Sequence, residues 1–307
     1  MTILINPYSS AGNALRKWEK VRSKIKKLCD SFLLHTIYER EGWESLVRES
    51  LQSGERAFVA GGGDGTVNLL LNTLMNNATP RQLSELKIGA IGLGSSNDFH
   101  KPFNREISGV PIKIDFNGSQ PRDVGCLYYQ VDGRRETRYF LINASIGITA
   151  NANFFFNHPD RILHFLKKHS TSAAITYAAC KTIAGHRNIS VQIQTDDNHT
   201  QCSLLSNLAV IKNPHFSGSL RYGVPARYRS HEFDIFFCHD MTRKNLLRLL
   251  ASCANGGASR MEKMNHWISK SVAVRSDSAI PVEYDGEVVL TEFCRFSILP
   301  ICIGVCP

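Results

Sequence analysis

"FVAGGGDGTVNLLLNTLM", residues 58 to 75, runs an apolar triplet, three glycines, Asp64, a fourth glycine and a strongly periodic segment end to end. The apolar residues before the glycines have the character of a short buried strand, about 57 to 60. Val67, Leu70, Leu71, Leu74 and Met75 recur at helical spacing, which predicts a helix with one buried face. The stretch therefore reads strand, glycine loop, helix. Glycines at such a junction permit positive φ and let backbone N–H groups approach a ligand closely. A helix N-terminus at about Thr66 adds the positive end of its dipole, so the loop suits phosphate. Asp64 would repel phosphate unless a cation lay between them, and Mg²⁺ fits that need. The plainer alternative is a tight turn in which Asp64 only caps the helix.

Outward from this stretch, the first hundred residues alternate strand and helix. Ile3 to Ile5 reads as a strand ended by Asn6-Pro7, and a helix follows from about 14 to 29. That helix sets Leu15, Trp18, Val21, Ile25 and Leu28 on one face, with Lys17, Lys20, Arg22, Lys24, Lys26 and Lys27 opposite, on a solvated face. A strand at about 32 to 37, a helix at about 43 to 52 and a strand at 88 to 91 continue the alternation. Such a pattern implies a parallel sheet, with every strand-to-helix loop opening on one edge, where ligands bind. From about residue 115 the texture changes to hairpin-like runs around Asp132-Gly133, across 188 to 211, and around Asp285-Gly286. Helical segments at about 161 to 184 and 242 to 254 interrupt them. The expected fold is α/β plus β. A three-layer, parallel-sheet nucleotide-binding domain covers 1–115, with 292–307 returning to it, and an antiparallel β-sandwich domain covers 116–291.

Bulk composition limits the function classes. The 307 residues are 43% hydrophobic and 21% charged, ordinary for a globular chain. No run of eighteen apolar residues occurs, and a strand beginning at Ile3 leaves no room for a signal peptide. Nine cysteines without a CxxC pair suggest thiols in a reducing cytoplasm. The net charge of +9 suits a phosphate-rich ligand or an anionic membrane. No nucleic-acid motif accompanies it.

A second loop, "GLGSSNDF" (92 to 99), repeats the logic of the first. Gly92 and Gly94 give backbone access, Ser95, Ser96 and Asn97 offer donors, and Asp98 places a second carboxylate on the same sheet edge. Alone it could be a helix cap; beside the first loop it points to a shared Mg²⁺ or ordered-water site.

With "NPYSSAGN" (6 to 13), "GGDGTVN" (62 to 68), "GSSNDFHKP" (94 to 102) and "YDGEVV" (284 to 289) in this order, the chain resembles the diacylglycerol kinase catalytic-domain family, soluble bacterial-type lipid kinases related to sphingosine and ceramide kinases. The resemblance covers nearly the whole chain and implies ATP and Mg²⁺ as cofactors. It assigns Gly62, Gly63, Gly65 and Thr66 to the ATP phosphates, with Asn6, Ser9 and Ser10 assisting and Thr36 near the base. Ser95 and Asn97 of the second loop join the nucleotide site. Asp64, Asp98 and Asp123 match the aspartates that organise Mg²⁺ through water, and Glu287 the general base, with Asp285 in its network. The chain departs from the family at Ser96, which stands for a glycine, and at His100-Lys101, which stand for Ala-Arg. Ser96 takes positive φ less cheaply than glycine, which questions the loop's shape.

The implied activity is phosphorylation of a lipid hydroxyl, with diacylglycerol giving phosphatidic acid, by a cytoplasmic enzyme visiting the membrane surface. Its expected partners are the lipid substrate and anionic phospholipid headgroups; nucleic acid is not among them and a homodimer stays open. Arg161, Lys167, Lys168, Lys181 and Arg187 lie near the apolar runs 151–159 and 162–183, which fit either a lipid cleft with a basic rim or an ordinary core helix. Two competing readings remain: a soluble-substrate kinase of the NAD-kinase type, and an inactive nucleotide- or lipid-binding regulator. A dinucleotide oxidoreductase fits worst, because Asp64 stands where pyrophosphate needs an uncharged approach.

Overall fold

The computed structural model describes residues 1–29, 31–196, 200–258 and 261–307. The chain divides into two compact units: residues 1–124 with 301–307, and residues 125–300.

In the first unit, β1 (Thr2–Ile5), α1 (Ala14–Leu28), β2 (Leu33–Thr36), α2 (Arg40–Gln52), β3 (Ala57–Gly62), α3 (Asp64–Asn77), α4 (Pro80–Glu85) and β4 (Lys87–Gly92) follow one another. The strands pair in parallel in the order β2-β1-β3-β4. A 3₁₀ turn at Asp98–His100 leads to β5 (Glu106–Ile107) and β6 (Val110–Lys113), and β6 pairs antiparallel with β4 at Ala90 and Ile91. The alternation of strand side chains decides the layers. Ile3, Ile5, Val59 and Ile91 meet Ala14, Trp18, Val21 and Ile25 of α1 in one apolar cluster. Leu4, Phe58 and Ala60 point to the opposite face, and α3 packs on β3 with its apolar face fully buried. Two expectations for α1 fail: Leu15 and Leu28 are exposed, and the buried stripe is Ala14, Trp18, Val21 and Ile25. The narrower stripe follows from docking the helix on a flat sheet, which reaches little beyond one ridge. Of the segment 292–307, residues 301–307 join this unit, with Gly304 and Val305 pairing in parallel with Lys87 and Ile88, while 292–300 belong to the second unit.

The second unit takes most of β7 (Gln120–Val131), then β8 (Arg134–Phe140), β9 (Asn143–Gly147), α5 (Ile148–Asn157), α6 (Arg161–His169), α7 (Thr171–Ala184), β10 (Ile189–Thr195), β11 (Thr200–Ile211), the short β12 (His215–Phe216) and β13 (Leu220–Arg221), β14 (Phe233–His239), α8 (Arg243–Ala254), β15 (Met264–Ser269), β16 (Ser271–Tyr284) and the first part of β17 (Glu287–Val305). Its pairings β7–β8, β9–β11, β9–β16, β10–β11, β10–β16, β11–β14, β12–β13, β14–β15 and β16–β17 are antiparallel. β10 bridges the first halves of β11 and β16, and β9 bridges their second halves. The register of β11 shifts between Leu205 and Asn207, and that of β16 between Arg275 and Ile280. Irregularities there let each strand bend and serve two sheet regions. Phe140, Phe233, Phe237 and Phe296 fill the core between them. The expected α/β plus β-sandwich fold is borne out.

Two local expectations change. The run 151–157 is helical, as part of α5. The single helix over 161–184 is two helices, because Ser170 leaves helical geometry and its Oγ caps α7 by accepting from Ala173 N. The expected hairpin across 188 to 211 pairs as β10 and β11, and residues 197–199 between them lie outside the described residues.

Candidate active site

The parallel strands place the loops after β1, β3 and β4 side by side, and a hydrogen-bond network joins them. Asn6 N donates to Gly61 O at 2.9 Å, and Gly94 N to Gly62 O at 3.1 Å. The Thr66 hydroxyl is the hub between the loops after β1 and β3: Asn6 Nδ2 reaches it at 3.2 Å and Ser9 Oγ lies at the same distance. Lys17 Nζ ties the loop after β1 to the loop after β4, donating to Ser10 Oγ at 3.0 Å, Leu93 O at 3.3 Å and Gly94 O at 2.5 Å. Burial lowers the Lys17 pKa and Lys20 adds to the effect. The helical pattern had assigned Lys17 to the solvated face; its long stem instead carries the amine back over the first turn into the loops. Thr36, at the end of β2, is exposed, as is Ser95.

The glycines serve a purpose other than positive φ. Gly61, Gly62, Gly63 and Gly94 are absent from the left-handed region, and Gly63 has φ −96°. Space is what requires them. A Cβ on Gly62 would lie 2.2 Å from Thr66 Oγ1, and a Cβ on Gly94 would lie 2.3 Å from Gly63 Cα. The two loops touch backbone to backbone. Left-handed geometry falls instead on Ser10 (φ 56°), Ala11 (φ 52°) and Gly12 (φ 85°) of the loop after β1, and on Asn97 (φ 52°) of the loop after β4. Ser96 is spared, so its replacement of glycine costs the loop nothing in strain. Asparagine tolerates this region, and Asn97 Nδ2 holds the turn by donating to Gly92 O at 3.2 Å. Asn97 Oδ1 is buried without a hydrogen-bond partner.

Helix α3 begins two residues earlier than expected, at Asp64, after Gly63 as N-cap. Asp64 is not the N-cap residue but lies in the first turn. Its Oδ1 accepts the Phe99 N–H at 2.9 Å, which fastens the glycine loop to the residue after Asp98. Asp98 is buried and pairs with Lys101 Nζ at 2.6 Å. Asp123, 1% exposed, accepts from Cys302 Sγ at 3.4 Å, and its neighbour Arg122 lies 5.8 Å above the Phe99 ring. Asp64, the Asp98 turn and the start of β7 are thus linked through Phe99.

Around them lie cations that the motifs did not single out. Lys113 is 3% exposed, and burial, with Arg122 beside it, lowers its pKa to about 8. His100 is buried and pushed down to about 3 by burial, with the Ala90 backbone opposing and the Lys113 charge reinforcing. His100 is therefore neutral at physiological pH. A lysine at the end of β6 and an arginine at the start of β7 carry no local sequence pattern that would reveal them; only the β4–β6 pairing places Lys113 here.

Asp285 and Glu287 belong to the second unit. Their turn has Asp285 at φ 47° and Gly286 at φ 91°. The Asp285 carboxylate is buried and accepts three backbone N–H groups, from Leu141 and Ile142 at 2.9 Å and Asn143 at 3.2 Å. Glu283, also buried, accepts from Ser145 Oγ and Gly286 N, each at 2.7 Å. Two acids thus lock the turn and the third, Glu287, stands exposed. It faces Tyr284 across the ladder, whose hydroxyl pKa is pushed up to about 12 by burial, against the pull of Arg138 and with the charge of Glu287 adding to it. Asp285 acts on Glu287 by fixing the turn that presents it.

Comparison with known proteins gives this arrangement its relatives. Residues 1–124 match the diacylglycerol kinase catalytic domain. Residues 144–306, more than half of the chain, match the YegS C-terminal NAD kinase beta sandwich-like domain. The YtlR protein of Bacillus subtilis is 22% identical over 97% of this chain and 96% of its own. A diacylglycerol kinase of Staphylococcus carnosus is 21% identical over 93% of this chain and 87% of its own. A crystal structure titled as a putative diacylglycerol kinase from Bacillus anthracis superposes with a TM-score of 0.70 at 16% identity, covering 97% of this chain and 93% of that one. The two-unit fold is thus shared with solved structures, and both units carry matching family models. The chain belongs to the lipid kinase family, phosphotransferases that join a diacylglycerol kinase catalytic domain to a YegS-type β-sandwich domain.

Proposed function

We propose that this enzyme transfers the γ-phosphoryl group of ATP to the hydroxyl of diacylglycerol, giving phosphatidic acid. The observation that carries the reading is the bracing of the loops after β1, β3 and β4 through Thr66, Lys17 and the Gly94–Gly62 hydrogen bond, with the glycine loop of Gly62, Gly63 and Gly65 leading into the N-terminus of α3. Phosphate is favoured there by the helix dipole and by the close backbone approach that only glycine allows. Asn6, Ser9, Ser10, Ser95 and Asn97 surround the same edge, and the buried Asn97 Oδ1 is an acceptor that a nucleotide hydroxyl or a metal-bound water can satisfy. Thr36 is assigned to the base side.

Asp64, Asp98 and Asp123 offer hard oxygen donors, which suits Mg²⁺, held through water. When bound, Mg²⁺ neutralises charge on the transferred phosphoryl group. Lys101 already pairs with Asp98, and Arg122 neighbours Asp123 in the chain. Phosphoryl transfer asks mainly for positioning and charge compensation. The hydroxyl oxygen forms the new P–O bond, the bridging bond to the β-phosphate breaks, and the hydroxyl proton passes to Glu287. A general base of this kind is worth ~10²–10⁴-fold. We place the enzyme in the cytoplasm and, peripherally, at the membrane where its substrate resides. No helix among the described residues is long and apolar enough to cross a membrane.

The test is transfer of label from ATP into a mixed lipid extract. Labelled phosphatidic acid is expected, and Asp64→Asn and Glu287→Gln should each lower its rate by at least about 10²-fold. Label found only in a water-soluble product would overturn the lipid acceptor and favour a kinase of the NAD-kinase type.

A further inference from the structure

Helix α6 wears its amphipathic pattern inside out. Leu163 is fully buried, and Leu166 and Lys167 are half-buried, together forming the face that meets α5 and α7. Lys167 Nζ donates to Phe156 O at 3.0 Å and lies 4.4 Å from the Phe156 ring, so this cation belongs to the packing of the helices. Lys181 is spent in the same way, paired with Asp160 and set 4.9 Å from the Phe155 ring. The outward face carries Ile162, 57% exposed, and Phe165, 60% exposed, with His169 stacked on Phe165 at 4.2 Å. At 100° per residue, Arg161, His164 and Lys168 form the adjoining stripe, and all three are exposed. The helix itself contains no acidic residue, and Asp160 before it is occupied by Leu163 N, Tyr177 and Lys181.

An ordinary surface helix buries its apolar residues and exposes its charges. A helix that exposes both, as a ridge of aromatic and branched side chains flanked by cations, has the pattern of one lying in a membrane interface. We infer that α6 is the surface by which this chain docks on an anionic lipid bilayer, with Ile162 and Phe165 entering the interface and Arg161 and Lys168 meeting the headgroups. Charge selects the occupant: the exposed stripe is wholly basic, and the chain's net charge is +9. The position of α6 gives the docking a use, a point that rests on the lipid-kinase reading. Asn157, at the end of α5 and three residues before the cap of α6, donates from Nδ2 to Gly286 O at 3.2 Å. One hydrogen bond therefore joins the α5–α6 connection to the turn that presents Glu287. Docking through α6 would bring the base to the plane where a lipid hydroxyl emerges.

Co-sedimentation with vesicles tests this. The protein should pellet with phosphatidylcholine vesicles containing roughly one third phosphatidylglycerol, release as salt is raised, and stay in solution with phosphatidylcholine alone. Ile162→Asp combined with Phe165→Asp should lower the partition coefficient at least about tenfold, and Arg161→Glu combined with Lys168→Glu should lower it similarly and flatten its salt dependence. Thermal melting checks that each variant stays folded. Independently, Phe165→Trp should show a blue-shifted emission on anionic vesicles. The proposal is overturned if the wild type ignores anionic vesicles, if the variants bind like the wild type, or if the substitutions only dissolve a dimer or a complex with an acidic protein. Transfer to detergent-dispersed lipid is measured in parallel. Vesicle binding through α6 without transfer would remove the kinase reading and sustain the docking; transfer without it would do the reverse.

Discussion

The hairpin turns at Asp132-Gly133 and Asp285-Gly286 have nearly the same backbone, with φ 50° and 74° in one and 47° and 91° in the other. Their side chains live in different worlds. Asp132 is exposed at a hairpin tip, whereas Asp285 is 3% exposed and saturated by three backbone donors. A dipeptide that specifies a turn says nothing of what the turn carries. At the first it is a connection; at the second the turn is anchored to the β8–β9 connection and so presents Glu287 in a fixed place.

Replacing each aspartate by asparagine, which tolerates the same backbone, breaks this comparison most sharply. Asp285→Asn turns an amide donor toward N–H groups that need an acceptor, and should cost at least about 3 kcal/mol in chemical denaturation. Equal losses at Asp132 and Asp285 would refute the distinction between the turns. The glycine loops sharpen it from the other side, because there the requirement is space. Gly94→Ala must push the Gly63 backbone away, with an expected cost of about 2 kcal/mol and a fall in phosphoryl transfer. Unchanged melting and activity would show the loops to be looser than their contact implies.

A third experiment uses pH. His100 has a folded pKa of about 3, below its ordinary value of 6.5, so the folded state binds fewer protons than the unfolded one between these limits. Stability is therefore fully present above pH 6.5 and is lost as pH falls toward 3. By pH 5 the loss should be roughly 1–2 kcal/mol. His100→Gln should remove that slope; an identical slope in the variant would mean that the histidine is not the titrating group. The smallest effect belongs to the exposed turn, where Asp132→Asn should stay within about 0.5 kcal/mol.

What the sequence revealed follows from how local each feature is. The β3–α3 junction was legible because strand, glycines and helix are contiguous, and their periodicities differ. The loops after β1 and β4 were legible for the same reason. Lys17 was misread because helical periodicity locates a Cα on a face, while a lysine amine lies several bonds further along. The glycines were read as conformational when they are steric, since the Gly63–Gly94 contact joins residues thirty-one positions apart and leaves no local trace. Lys113 and Arg122 owe their burial to strand pairing. The outward ridge of α6 was ambiguous, because an apolar pattern gives the period of a face without saying which way it points.

The strand that completes the first unit consists of residues 301–307, where Gly304 N donates to Leu86 O and Cys306 N to Ile88 O. In the order of synthesis, the second unit is made between the two segments of the first. While the ribosome makes the whole of the second unit, the edge of β4 at Lys87 and Ile88 stands unpaired, and unpaired edges invite association with other chains. The nascent chain thus has a vulnerable interval that lasts until Gly304 and Val305 emerge and take their place beside β4.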